Sequence, residues 1–242
     1  MIENPDNSKK TKNDIAWEKL FTKYGILQLI ENKGYFEITS EQINEVRESR
    51  LMAKFDHAIK LPKIFKNNQL SILPISRNQY VIGHFETHYE VNYNQKITAT
   101  QVNLPSLIQS IDYTNIPSES IALNCAFNTG MIADLLEVEK SQVYHTLSGR
   151  MSTGEFNFNI NNISSNEIYD FYVNASQCEI DAGFETENFL FIIEAKNKII
   201  GDFLIRQLYY PYRLWQEKID KKVIPALMTY SNSNNLYRTN FR

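Results

Sequence analysis

The chain has 242 residues, 43% of them apolar and 22% charged, which suits one large domain or two small ones around a real core and excludes a disordered tail. No apolar run approaches the ~20 residues that span a bilayer, the first fourteen residues are mainly polar and charged, and two cysteines without a CxxC or Cys/His cluster offer neither a disulfide framework nor a zinc site; a protein with no membrane anchor and no signal peptide, in a reducing, cytoplasmic compartment, is expected. The net charge of -3 hides an asymmetry: Val46 to Arg77 holds seven basic and two acidic residues, whereas Ile97 to Glu194 holds thirteen acids against Lys140 and Arg150 alone.

Residues 1–12 read as a frayed terminus. Asn13 or Asp14 then caps a helix whose Ile15, Trp17, Leu20, Phe21, Tyr24, Leu27 and Ile30 draw one apolar stripe, with Gly34 as its stop. Thr39 or Ser40 opens a second helix, and a third runs from Glu48 to Ile59, before Pro62. Leu70–Ile75 and Gln79–Phe85 form a hairpin around Ser76, Arg77 and Asn78. Helices followed by a hairpin resemble a winged-helix arrangement, so 13–95 is read as an N-terminal α+β domain that contacts DNA, with a loose junction within Val91–Pro105. The second domain, 96–242, begins with a helix over Ser118–Glu139. Alternating runs at Phe156–Ile160 and Tyr169–Val173 follow, then strands at Cys178–Phe184 and Phe189–Ala195, a helix from Asp202 to Lys218 and a strand from Val223 to Tyr230. That order defines an α/β class, a mixed sheet flanked by helices.

The chemistry concentrates in Gln177-Cys-Glu-Ile-Asp-Ala-Gly-Phe184 and Phe189-Leu-Phe-Ile-Ile-Glu-Ala-Lys196. Side chains alternate along a strand, so Glu179 and Asp181 share one face, as do Glu194 and Lys196. A two-residue turn at Thr186-Glu187 pairs Glu194 with Glu179, and one at Glu187-Asn188 pairs it with Asp181. Either register is expected to gather three carboxylates and one ammonium on one face. Such carboxylates repel unless a cation sits between them, and Mg²⁺, with a near-octahedral oxygen shell, fits Asp181, Glu194 and the carbonyl of Ala195. That set suits phosphodiester hydrolysis, with Lys196 orienting the attacking water and offsetting charge in the transition state.

Asp181, twelve intervening residues and Glu194-Ala-Lys196 after an apolar strand resemble the PD-(D/E)xK nuclease superfamily, with Ile180 standing where its proline would be. Arg50-Leu-Met-Ala-Lys-Phe-Asp56, Leu70-Ser-Ile-Leu-Pro-Ile-Ser-Arg77 with Tyr80-Val-Ile-Gly83, Leu147-Ser-Gly-Arg-Met151 and Gln177–Phe184 together are similar to type II restriction endonucleases of that superfamily. The resemblance implies a PD-(D/E)xK core with Asp181, Glu194 and Lys196 catalytic and Gln177 and Glu179 as supporting or additional ligands. It also implies a Mg²⁺-dependent, site-specific double-strand endonuclease, paired with a DNA methyltransferase that protects the host. One site per chain and two strands to cut imply a homodimer or larger assembly. Members continue past their last strand, whereas here Leu236–Phe241 reads as one more strand before Arg242. A truncated enzyme or a catalytically incomplete DNA-binding fragment therefore stands as an alternative, beside a structure-specific repair or recombination nuclease.

The residues expected to touch DNA are Arg50 and Lys54, four apart on a helix, Arg77 in the hairpin turn, Arg150, and Arg206 and Gln207 on the helix after the ExK strand. An ordinary solvated face is the alternative for Arg50 and Lys54, and a salt bridge to a nearby acid for Arg150. His84, Glu86, His88 and Glu90 alternate on one strand face and read as open-face polarity rather than a metal site.

Overall fold

The computed structural model describes residues 9–92, 100–165, 167–198, 200–233 and 236–241. It divides into two units, the first reaching Tyr89 and including Glu155–Ser176, the second comprising Glu90–Gly154 and the chain from Gln177. The expected junction at 95/96 and residues 1–8 of the terminus lie outside the described residues.

Helix α1 (Lys12–Tyr24) starts two residues earlier than a cap at Asn13 would set it, because Thr11 is its cap. The N–H of Asp14 donates to Thr11 Oγ1 at 3.1 Å and the N–H of Thr11 donates to Asp14 Oδ2 at 2.7 Å, a reciprocal pair that satisfies two otherwise orphaned donors. The expected single helix is two: Gly25, at φ +59, ends α1 in a left-handed turn and α2 (Ile26–Lys33) follows, ended in turn by Gly34. Strand β1 (Tyr35–Thr39) precedes α3 (Ser40–Asn44), which Thr39 caps as expected. Helix α4 (Ser49–Met52) is one turn long, in place of the helix expected to Ile59. The carbonyls that its continuation needs are taken, that of Leu51 by Asn13 Nδ2 at 2.8 Å and that of Met52 by Trp17 Nε1 at 2.9 Å. After α5 (Lys63–Asn67) come the hairpin strands β2 (Ser71–Pro74) and β3 (Gln79–Gly83), then the short β4 (His88–Glu90). Strand β3 lies between β1 and β2, antiparallel to both. Trp17, Leu20, Ile26, Ile38, Ile43 and Phe65 bury the core of this unit.

In the second unit, α6 (Glu119–Asn128) and α7 (Met131–Leu136) replace the continuous helix expected over Ser118–Glu139, the break falling at Gly130 with φ +90. An unpredicted strand, β5 (Tyr144–Ser152), follows. Strands β6 (Glu155–Asn161) and β7 (Ile168–Asn174) then return to the first unit as an antiparallel hairpin, although the sequence placed them in the second domain. Their alternation buries Phe156, Phe158, Phe171 and Val173, and Phe171 meets the rings of Tyr35 and Phe85 edge-on at 5.1 and 5.5 Å. The backbone joins them too, Asn174 N–H donating to Ile75 O at 2.9 Å.

The rest of the second unit comprises β8 (Gln177–Glu185), β9 (Phe189–Lys196), β10 (Asp202–Leu204), α8 (Arg206–Gln216), β11 (Lys222–Ser233) and β12 (Leu236–Phe241). The expected helix over Asp202–Lys218 thus begins with a short strand. The main sheet has the order β12-β11-β9-β8-β5. Strands β5, β8 and β9 are antiparallel neighbours, whereas β11 runs parallel to β9, as a helical crossover between them requires. Helices α6 and α7 cover one face through Ala122, Ala126 and Ile132, packed with Phe184, Phe191 and Ile193. Tyr212 and Trp215 of α8 cover the other, against Ile180, Leu190 and Ile192. No helix among the described residues is long and apolar enough to cross a membrane.

Gly34 tests the place of the β6–β7 hairpin. Its φ of +81 strains any side chain, and an added Cβ would lie 1.7 Å from Tyr169 Oη. Gly34→Ala is expected to lower the unfolding free energy by about 1–3 kcal/mol in urea titrations, and an unchanged midpoint would contradict this packing.

Candidate active site

The turn between β8 and β9 is closed by Thr186 and Phe189. The N–H of Thr186 donates to Phe189 O at 2.9 Å, and the N–H of Phe189 donates to Thr186 Oγ1 at 3.0 Å. Glu187-Asn188 is therefore the turn pair, the second of the two registers the sequence allows. The ladder runs from Glu185 opposite Leu190 to Ala182 opposite Ile193, and just beyond its end Asp181 lies near Glu194, on which its charge acts. There the Ala195 N–H donates to the side chain, Asp181 Oδ2, at 2.7 Å.

Asp181 owes its position to a bulge. Against β5 the register shifts twice, with one extra residue in β5 at Thr146 and one in β8 at Asp181–Ala182, so that Gly149 again meets Ile180. The bulge turns over the alternation of β8: Phe184 and Ala182 pack on the α6–α7 face, whereas Ile180 packs on the α8 face. Glu179 therefore does not share a face with Glu194, and the expected cluster of three carboxylates on one face is reduced to two. Glu179 is exposed and accepts from Arg150 Nε at 3.1 Å. This pair is the salt bridge weighed as the alternative for Arg150. Gln177 is exposed at the start of β8, and its carbonyl accepts from Arg206 Nη1 at 3.4 Å.

Glu194 is the most enclosed group of the site, with 8% of its side chain exposed, beside Lys196 with 15%. Its Oε1 accepts from Lys196 Nζ and from Gln207 Nε2, each at 2.5 Å. Burial pushes the Glu194 carboxyl up to about 7; the Lys196 ammonium opposes the rise, and the charge of Asp181 adds to it. Burial also raises Asp181, opposed by the Ala195 N–H and Lys196. Both carboxylates keep one oxygen outside these bonds, Asp181 Oδ1 and Glu194 Oε2. Gln207 Oε1 is buried without a partner, an acceptor that one water would satisfy. Two acids forced together in a dry setting, each with a spare oxygen, fit a hard cation. Among the described residues no group of three or more His, Cys, Asp or Glu side chains is gathered as a metal site, so a cation here would rest on the Asp181–Glu194 pair and the Ala195 carbonyl.

Sequence reasoning placed Gln207 toward DNA, but the structure turns it toward Glu194. It missed two neighbours. Glu119, in the first turn of α6, adds to the field that raises Glu194. Thr229, buried and opposite Lys196 in the parallel β9–β11 ladder, has a hydroxyl without a partner. Only the parallel register reveals Thr229, and nothing in its local sequence does. Arg206 stacks its guanidinium over Tyr210 at 5.4 Å. Cys178 is buried, which pushes its thiol up to about 11 and makes it a small apolar residue of the sheet.

In the first unit, Arg50 pairs with Glu48 at 2.5 Å, and Lys54 lies beyond the end of α4, so the two do not share a helix face as expected. Arg77 is exposed in the turn between β2 and β3. The ring nitrogens of His88 are engaged by Thr87 Oγ1 at 3.1 Å and the Phe55 carbonyl at 2.9 Å.

Comparison with protein families matches residues 83–242 to the domain of unknown function DUF6997, and the chain belongs to that family. Residues 14–82 match a second domain of unknown function, DUF6996. No curated protein and no solved structure matches the chain.

The raised Glu194 pKa gives a signed prediction. The folded protein keeps a proton there that the unfolded chain releases between pH 4.5 and about 7, so stability falls across that window and then levels off. Without metal, the parent should lose about 1–3 kcal/mol more than Glu194→Gln between pH 4.5 and 7.5, read from denaturant midpoints. Parallel pH profiles would show that Glu194 titrates normally.

Proposed function

We propose that the protein is a Mg²⁺-dependent endonuclease that cuts double-stranded DNA at specific sites, with Asp181, Glu194 and Lys196 as its catalytic residues. The observation that carries this reading is Asp181 bonded to the Ala195 N–H beside Glu194, with Lys196 bonded to Glu194 on the same strand. Around it, helix, three antiparallel strands, helix and a parallel strand follow in the order of the PD-(D/E)xK core that the sequence resembles. A bound Mg²⁺ would supply charge neutralisation at the phosphate and acidify a water. Asp181 and Glu194 would hold it, with the Ala195 carbonyl. Gln207 positions Glu194 by fixing Oε1, which leaves Oε2 for the ion. Lys196 holds its ammonium where negative charge grows on the phosphate oxygens.

The first unit supports a DNA-contacting role in this reading. Its order of helices, β1, short helices, β2 and β3, with strand order β1-β3-β2, supports the winged-helix-like reading, and Arg77 stands at the tip of the hairpin. A dimer follows from one site per chain and two strands to cut. The protecting methyltransferase rests on the resemblance to restriction enzymes.

The test is incubation of unmethylated phage DNA with the purified chain in Mg²⁺ and in EDTA. Discrete fragments are expected only with Mg²⁺. Asp181→Ala and Lys196→Ala should each slow cutting on the order of 100-fold or more while binding duplex DNA in EDTA as the parent does. Cutting retained by both variants would remove the assignment, and Mg²⁺-dependent smears would point to a nuclease that reads structure or ends.

A further inference from the structure

The first unit holds a cavity of about 520 Å³ where three separate chain segments meet. Lys9 and Lys12 come from the entry to α1, Arg47 from the segment after α3, and Lys60, Lys63 and Lys66 from the turn before α5 and from α5 itself. One acid, Asp14, lines it; its carboxylate is held by Thr11 and by the backbone of Lys63, whose charge also favours it. Its Oδ2 accepts from the N–H and the hydroxyl of Thr11, each at 2.7 Å, and its Oδ1 from the N–H of Lys63 at 2.7 Å. Lys66 Nζ donates to the Ile59 carbonyl, which holds its charge at the wall. Arg47, whose Nε is buried without a hydrogen-bond partner, is the guanidinium among these cations. One guanidinium and five ammonium groups around one space attract an anion, the guanidinium through its planar fork of donors. The 13-residue α1 adds the positive end of its dipole at Thr11–Lys12.

We infer that this cavity binds the phosphodiester backbone of duplex DNA. It does so by charge and by the Arg47 fork, and without reading base sequence. Six cations around a space wider than one phosphate suit neighbouring phosphates of a chain better than a single small anion. The site differs from Arg50, Lys54 and Arg77, which line no part of it. It rests on the reading of DNA as the partner but not on cleavage chemistry.

The test measures affinity for a short duplex by fluorescence anisotropy, in EDTA so that nothing is cut, across a salt series. It compares the parent chain with Lys12→Gln/Arg47→Gln/Lys60→Gln and with a control, Lys19→Gln/Lys33→Gln/Lys222→Gln, which removes equal charge from exposed positions elsewhere. The cavity variant is expected to bind at least tenfold more weakly at low salt, and its log–log salt slope should fall by about 0.9 per lost contact. The control should stay within about threefold of the parent, with equal thermal midpoints for all three. Inorganic phosphate and a nucleoside triphosphate serve as competitors. If they bind the cavity while DNA affinity is the same in parent and variant, the ligand is a small phosphate and the inference fails. Equal losses in the two variants, or a parent that does not bind DNA at low salt, also overturn it. A parent that binds through these residues but never cuts would sink the nuclease reading alone.

Discussion

The site depends on one substitution of a side chain for a backbone group. Where the β8–β9 ladder ends, the Ala195 N–H donates to the carboxylate of Asp181. The strands can part there without orphaning that donor. The same bond fixes one oxygen of Asp181 and leaves the other clear. It also holds Ala195, and so sets the direction of Glu194 and Lys196 on either side of it. The bulge at Asp181–Ala182 makes this possible, by freeing Asp181 from the regular alternation while Phe184 and Ile180 remain anchored on opposite layers.

Burial sets the electrostatic state. Glu194 and Lys196 lie side by side in a setting that penalises either charge alone, and each reduces the penalty on the other. Asp181 upsets the balance, because two carboxylates then face one ammonium. Gln207, reaching in from α8, supplies a neutral donor to Glu194 and fixes which oxygen stays open. The crossover that makes β9 and β11 parallel is what brings α8, and hence Gln207, over the site. Fold and site are linked through that connection.

The Asp181, Glu194 and Lys196 set was legible in the sequence because it depends on local spacing and on a short turn. Its register came down to two choices, which the hydrogen bonds of Thr186 decide. Glu179 was misplaced because alternation holds only until a bulge, and a bulge leaves no mark in residue type here. The β6–β7 strands were legible as strands, but alternation says nothing about which sheet or unit a hairpin joins; the aromatic contacts of Phe171 with Tyr35 and Phe85 settle that. Helix boundaries failed where distant side chains compete for carbonyls, as Asn13 and Trp17 do at the end of α4. The basic run from Val46 to Arg77 was visible as a sum, yet its focus at Arg47, Lys60, Lys63 and Lys66 requires the fold.

We propose that Asp181 and Glu194 together form a cation site. Calorimetric titration of the DNA-free protein with Mg²⁺ at pH 8, and again at pH 6, tests it most directly beside Asp181→Asn. One binding event per chain is expected, weaker at pH 6, where Glu194 holds its proton, and absent in the variant. Equal binding by the parent and Asp181→Asn, or no binding by the parent at pH 8, would contradict it.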